Sequence, residues 1–250
     1  MKKILPIALA VLLLAACGDT HTVTFCGTLE NGAGKVIYLE ELTPEGALFI
    51  DSITLDGKGC FKYKYDMPYK TFYNLHASQY DYVVLLPDYG EKVEVEGCYD
   101  SLSMTYKIKG AGDSQLLWQL QSYTNDGINV LRHLGATDAA NKQLLAEGKM
   151  TEAEYDAAHQ QTDSVYLATY YEQQAYVMDF IEQHAGSLAT IIALYKPFNV
   201  SMPLVRPEEH FEYYDLVLQG LEEGMPDNPH TLNFKNTVEH LRYQYVMQQE

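Results

Sequence analysis

The chain has 250 residues, with 17 Lys and Arg against 34 Asp and Glu and a formal net charge of −17 at pH 7. So acidic a surface excludes nucleic acid as a partner and gives no purchase on anionic lipid, since both need clusters of Lys and Arg. The length allows one large domain or two small ones.

The chain opens on Lys2-Lys3 and an apolar run from Ile4 to Ala16, broken only by Pro6. This run is too short to cross about 30 Å of hydrocarbon, which takes roughly 20 apolar residues. It has the length of the apolar region of a secretory signal. Leu14-Ala15-Ala16-Cys17 resembles the bacterial lipobox. In proteins with that motif the signal is cut before the cysteine, whose thiol and new amine are acylated. Two or more acyl chains anchor stably where one holds only marginally. Residues 1–16 are therefore expected to be a lipoprotein signal peptide, Cys17 the lipidated residue and 17–20 a tether. The expected location is the bacterial cell envelope, at the outer rather than the inner membrane, with the bilayer as a partner through Cys17.

Beyond Cys17 the cysteines are Cys26, Cys60 and Cys98. They form no Cys-x-x-Cys pair, so thioredoxin-like redox chemistry lacks its dithiol. An odd count in an oxidising compartment leaves at least one thiol unpaired within the chain. Wide spacing without clustered histidines argues against a zinc site.

From His21 to Gly112 the pattern has period two, interrupted by turn residues. "HTVTFCGTLE" alternates Val23, Phe25, Gly27 and Leu29 against Thr22, Thr24 and Cys26. "KVIYLEEL", "GALFIDSITLD" and "CFKYKY" follow, separated by "NGAG", "TPEG" and "DGKG", whose Gly and Asn/Asp tolerate positive φ. "KTFYNLHAS", "DYVVLLP", "EKVEVEG" and "MTYKIKG" complete the series. Short strands at this spacing predict an antiparallel β-sandwich over residues 21–112.

At "GAGDSQLLWQLQSY" the period lengthens, with Asp113 or Ser114 as cap and Leu116, Leu117, Leu120 and Tyr123 on one face. Thr151-Glu152-Ala153-Glu154 has capping-box spacing and opens a helix running to about His184. Gly186-Ser187 separates it from "SLATIIALY"; the loop "KPFNVSMPL" follows, and Pro207 is expected as the first residue of "PEEHFEYYDLVLQGL". That helix should bury Phe211, Tyr214 and Leu218, and a last helix starts near Thr231. Residues 113–250 thus read as all-helical and packed on the sandwich. The fold class expected is α+β.

No catalytic constellation emerges, and no cofactor or metal is expected. His159 and Asp163 share a helix face by spacing, but two ligands do not make a metal site. "GDSQ" at Gly112–Gln115 has a hydrolase-like serine, which capping explains. Tyrosine is over-represented, with 21 Tyr against one Trp and eight Phe. A ring with a polar tip suits binding faces, so Tyr63, Tyr65 and Tyr73 on the central strands are the candidate ligand contacts, for a glycan or peptide. Ser52, Ser101 and Ser164 sit in Asp-Ser-apolar triplets of the kind that carry O-glycans in some bacterial envelopes. An intact mass equal to polypeptide plus lipid would dispose of that expectation.

Taken in order, the lipobox-like Cys17, "FCGTLENGAGKVIYLEEL", "IDSITLDGKGCFKYKYDMP", "IKGAGDSQLLWQLQ", "HAGSLATIIALYKPFN" and "VRPEEHFEYYDLV" give a pattern over nearly the whole chain. It resembles the N-terminal region of envelope lipoproteins that join a β-rich domain of unknown function, a helical segment and a thioredoxin-like domain of the TlpA/ResA type. The resemblance implies an accessory or interaction module that meets another envelope protein. It transfers no redox role, because no Cys-x-x-Cys occurs up to Glu250. The expected function is that of a non-catalytic envelope lipoprotein. The alternatives are a thiol–disulfide oxidoreductase whose redox domain lies elsewhere, and a glycan- or peptide-binding module using the Tyr-rich sheet.

Overall fold

The computed structural model describes residues 21–245; the signal peptide expected at 1–16, Cys17 and the tether expected at 17–20 lie outside the described residues. Strands β1 (Thr22–Glu30), β2 (Val36–Thr43), β3 (Gly46–Thr54), β4 (Cys60–Asp66), β5 (Phe72–Ser78), β6 (Asp81–Leu85) and β7 (Lys92–Cys98) come first. A short helix α1 (Leu102–Thr105) and strand β8 (Lys107–Lys109) follow. They make two four-stranded sheets, in the orders β4-β1-β7-β8 and β3-β2-β5-β6. Alternation sends Val23, Phe25 and Leu29 of one sheet and Leu39, Tyr73 and Leu75 of the other into a single core. The rings of Phe25 and Tyr73 meet across it at 5.2 Å between centroids.

Two strand expectations are corrected. The sandwich is not wholly antiparallel: β1 and β7 run parallel, with Phe25 opposite Val93. The chain reaches β7 only after crossing the opposite sheet, and that detour does the work of the crossover helix a parallel pair needs. At Gly27 the two strands approach so closely that a Cβ would lie 1.8 Å from the Val95 carbonyl oxygen. Met104 and Thr105, read as strand, belong to α1. The Asp81 carboxylate accepts from the N–H groups of Leu102 (2.8 Å) and Ser103 (2.7 Å), supplying the helix-starting partner that the local sequence lacks.

The helical half comprises α2 (Gly112–Ala146), α3 (Glu152–His184), α4 (Ala189–Leu194), α5 (Phe211–Gly224) and α6 (Pro229–Tyr245), with a small hairpin, β9 (Pro197–Asn199) and β10 (Met202–Pro203), between α4 and α5. The hairpin replaces the loop expected over "KPFNVSMPL". Helix α5 starts at Phe211 rather than Pro207, because residues 207–209 form a turn. It buries Tyr214, Val217 and Leu221, while Phe211 and Leu218 are half-buried. Thr151 and Glu154 do form the reciprocal capping box. By contrast, the N-cap of α2 is Ala111, without a side-chain bond. Ser114, fully buried, instead accepts from the Leu86 N–H at 2.8 Å, and Asp113 pairs with Lys70 at 2.8 Å. Leu117, Leu120 and Thr124 take the buried face of α2, with Leu116 and Tyr123 only half covered.

A second core, built on Leu120, Val177, Ile181, Leu194, Val217 and Val238, includes Phe72 and Leu86 from the sandwich, so the halves pack together. Polar bonds seal the seam. Lys70 Nζ meets Asp88 and Asp113, each at 2.8 Å; Asn228 donates to the Lys70 carbonyl at 2.7 Å; and Trp118 Nε1 donates to the Tyr106 carbonyl at 2.9 Å. The fold is α+β.

Helices α2 and α3 outrun this body. Tyr123 stacks on Tyr176 at 3.6 Å, Gly127 packs on Gln173, and beyond them no residue from Ile128 to Glu172 is buried. The two helices continue as an antiparallel arm of about 30 Å at 1.5 Å per residue. Its half-covered positions recur at spacings of three and four: Leu131, Leu134, Asp138, Asn141 and Leu145 face Tyr155, Ala158, Thr162, Val165 and Thr169. That is a coiled-coil seam, but a polar one.

Candidate functional site

Where sandwich and helices meet, a cleft of about 310 Å³ opens between β6, α1, α2 and the end of α4. Its floor is apolar, from Val83, Val84, Leu117 and Ile192. Tyr80, Tyr82, Met104 and Tyr106 form its walls, and Tyr80, Tyr82 and Met104 are exposed. Lys196 lies half-buried among the helices. Its N–H donates to the Ala193 carbonyl (3.1 Å) and its carbonyl accepts from Leu204 (3.0 Å), so the hairpin after α4 fixes where the side chain starts. Its ammonium donates to Gln121 Oε1, and Gln121 Nε2 in turn donates to Asn125 Oδ1 at 2.7 Å.

No carboxylate stands within 4.0 Å of this ammonium among the described residues. Burial without a counter-charge disfavours the charged amine, and it lowers the Lys196 pKa to about 8. Lys70 provides the contrast within the same seam. It too is desolvated, yet hydrogen bonds and charge from Asp113 and Asp88 outweigh that and raise its pKa. One lysine is neutralised by its own chain and the other is left waiting. Most small-molecule sites have this composition, an apolar cleft at a domain interface with few polar groups converging on it.

The structure separates the tyrosines singled out by sequence from this cleft. Tyr73 is fully enclosed in the sandwich core, where it offers no surface to a ligand, and its hydroxyl has no partner. Tyr63 and Tyr65 are half-buried against the same core, and Tyr65 reaches Glu41, a buried carboxylate, at 3.4 Å. Desolvation, with Glu41 beside them, raises Tyr65 and Tyr73 above the usual phenol range, and takes the neighbouring Tyr69 to about 12. The rings of Tyr63, Tyr65 and Tyr73 form a packed aromatic cluster apart from the cleft.

Ser52 and Ser164 are exposed, on β3 and α3 respectively, and Ser101 is half-buried before α1. His159 lies 3.8 Å from Asp163 and 3.2 Å from Asp138, and no group of three candidate metal ligands forms among the described residues. Cys26, Cys60 and Cys98 are unpaired; Cys26 is buried, with its thiol pKa raised by desolvation, and donates to the Val93 carbonyl at 3.6 Å.

Sequence reasoning missed Lys196, Gln121 and Tyr82. One signal was available: Lys196 is the only Asp, Glu, Lys or Arg between Glu182 and Arg206, at the end of the apolar run "LATIIALY". A lone charge behind such a run is either a helix stop or a buried cation, and only the tertiary packing distinguishes them. No family model matches the chain, and neither the curated proteins nor the solved structures contain a match to it.

Proposed function

We propose that the chain is a non-catalytic bacterial envelope lipoprotein, an accessory module held on the outer membrane through Cys17 and working by binding rather than turnover. The observation that carries this reading is Leu14-Ala15-Ala16-Cys17 behind a basic start and a short apolar run. Its resemblance to the N-terminal region of thioredoxin-domain lipoproteins supports the accessory role, with an envelope protein or glycan as the macromolecular partner. Cys17 stands five residues before Thr22, where β1 begins. Five residues span at most about 17 Å. Acylation there would keep the Thr22 end of β1, beside Asp66 of β4, close to the bilayer surface.

Growth with an alkyne fatty acid tests the proposal. The wild-type chain is expected to take up label and to sediment with outer membrane on a density gradient; Cys17→Ser is expected to lose both properties. A processed wild-type chain without acyl label would overturn it.

A further inference from the structure

We propose that the cleft between β6, α1 and α2 binds a small organic monoanion, an aryl carboxylate, with its carboxylate on Lys196 and its ring between Tyr82, Met104 and Tyr106. The proposal rests on reading the chain as a binding module, and it gives that module a ligand class.

An ammonium carries three N–H donors, and one of those on Lys196 is taken by Gln121. Removing an ion from water is costly unless it is paired and hydrogen-bonded. Lys70 meets that cost with Asp88 and Asp113. Lys196 has no such partner among the described residues, although its backbone is pinned on both sides. A ligand carboxylate entering the cleft would take the part that Asp113 takes for Lys70. Asn125, also on the cleft lining, spends its carbonyl on Gln121, which leaves its amide N–H pair as a second donor.

Shape and charge then narrow the class. The volume of about 310 Å³ is that of a small-molecule site. The floor is aliphatic and the walls are tyrosine and methionine, surfaces that suit an aromatic ring. Among the described residues Lys196 is the only cation lining the cleft, and the chain as a whole carries −17. One charge matches one charge. A phosphate dianion would leave an uncompensated charge in an apolar site within a repelling field.

The test uses 2-naphthoate, its neutral isostere 2-naphthamide and 2-naphthyl phosphate, titrated calorimetrically into the wild-type chain and Lys196→Met. Naphthoate should bind the wild type at pH 7 and bind Lys196→Met about tenfold or more weakly, the usual loss when a charged hydrogen bond is removed. The amide should bind both chains weakly and alike. Affinity for naphthoate should fall about tenfold per unit above pH 8, as Lys196 loses its proton. Lys196→Met removes a half-buried charge without a counter-ion and is expected to fold with an unchanged or higher melting temperature, so loss of binding is not loss of fold.

Equal affinity for naphthoate and naphthamide, an unchanged affinity in Lys196→Met, or a flat pH profile would each overturn the anion assignment while leaving a binding cleft. Tighter binding of the phosphate would overturn the monoanion. Absence of binding by all three probes would overturn the cleft as an aryl-ligand site, and would leave the acylation of Cys17 to be judged by its own labelling.

Discussion

The sandwich and the arm are made by opposite means. In the sandwich every strand sends side chains into one core: Phe25, Leu29, Leu39, Leu75, Val83 and Val95 are at most 2% exposed. Along the arm, from Ile128 to Glu172, nothing is buried. A strand cannot satisfy its own backbone and survives only in a sheet with a covered face. A helix closes its hydrogen bonds locally and can stand out into water, provided its ends and its seam support it. The arm has that support from the Thr151–Glu154 capping box at its tip and the Tyr123–Tyr176 stack at its base. The sandwich therefore depends on tertiary burial, and the arm on local interactions.

Truncating one core residue tests this most severely. Phe25→Ala should lower the unfolding free energy in urea by about 3–5 kcal/mol, the cost of a lost aromatic ring plus its cavity. Leu134→Ala, on the arm's half-covered seam, should cost below about 1 kcal/mol, because water already reaches the site. Equal losses would erase the distinction. Next in size is Gly220→Ala. A Cβ there would come within 2.6 Å of the Ala185 carbonyl, where α5 crosses the chain between α3 and α4. Backbone cannot yield as a side-chain tip can, so overpacking should cost about 1–3 kcal/mol by the same measurement.

The same contrast explains what the sequence disclosed. Period-two alternation placed all eight strands of the sandwich, because the burial that stabilises a strand is the burial that writes its pattern. Phe61, Tyr63 and Tyr65 do share a face, with Lys62 and Lys64 on the other. The α+β class followed from the change of period near Gly112. The parallel β1–β7 pair left no mark, since a strand covered on one face alternates alike in either direction. Helix α1 was invisible because its cap, Asp81, lies far back in sequence. Asp113 and Ser114 looked like caps, but long-range partners claimed them. As for the site, tyrosine enrichment pointed into the sandwich core, whereas the cleft is assembled from β6, α2 and the segment after α4, a juxtaposition that no local pattern encodes.

A smaller effect is expected at the seam between the halves, read through pH. His230 Nε2 lies 2.7 Å from Thr71 Oγ1, and its ring meets Phe72 edge-on at 5.1 Å. Burial lowers its pKa, outweighing the raising influence of the Leu42 backbone and Glu45. The folded state thus favours the neutral ring. Its contribution is complete above the unfolded pKa of about 6.5 and declines as pH falls from there toward the folded value. Urea titrations between about pH 5.5 and 7.5, above the carboxylate range, should show stability falling with acid. The slope should flatten in His230→Gln, and a slope unchanged in that variant would remove His230 from the seam's energetics.

The smallest global effect should come from the tip of the arm. Thr151 Oγ1 accepts from the Glu154 N–H at 3.3 Å, and Glu154 Oε2 accepts from the Thr151 N–H at 2.8 Å. Thr151→Ala removes half of this reciprocal cap, a loss of about 1 kcal/mol from the helix. Because the arm shares no buried residue with the body, that loss should stay local. Hydrogen exchange should quicken for amides in the first turns of α3 and across the seam at Asp138 and Leu134, and remain unchanged in β1 and β5. The urea midpoint should barely move. If the midpoint fell by the full cost of the cap, the arm would unfold together with the sandwich, and the helices would draw their stability from the body despite standing clear of it.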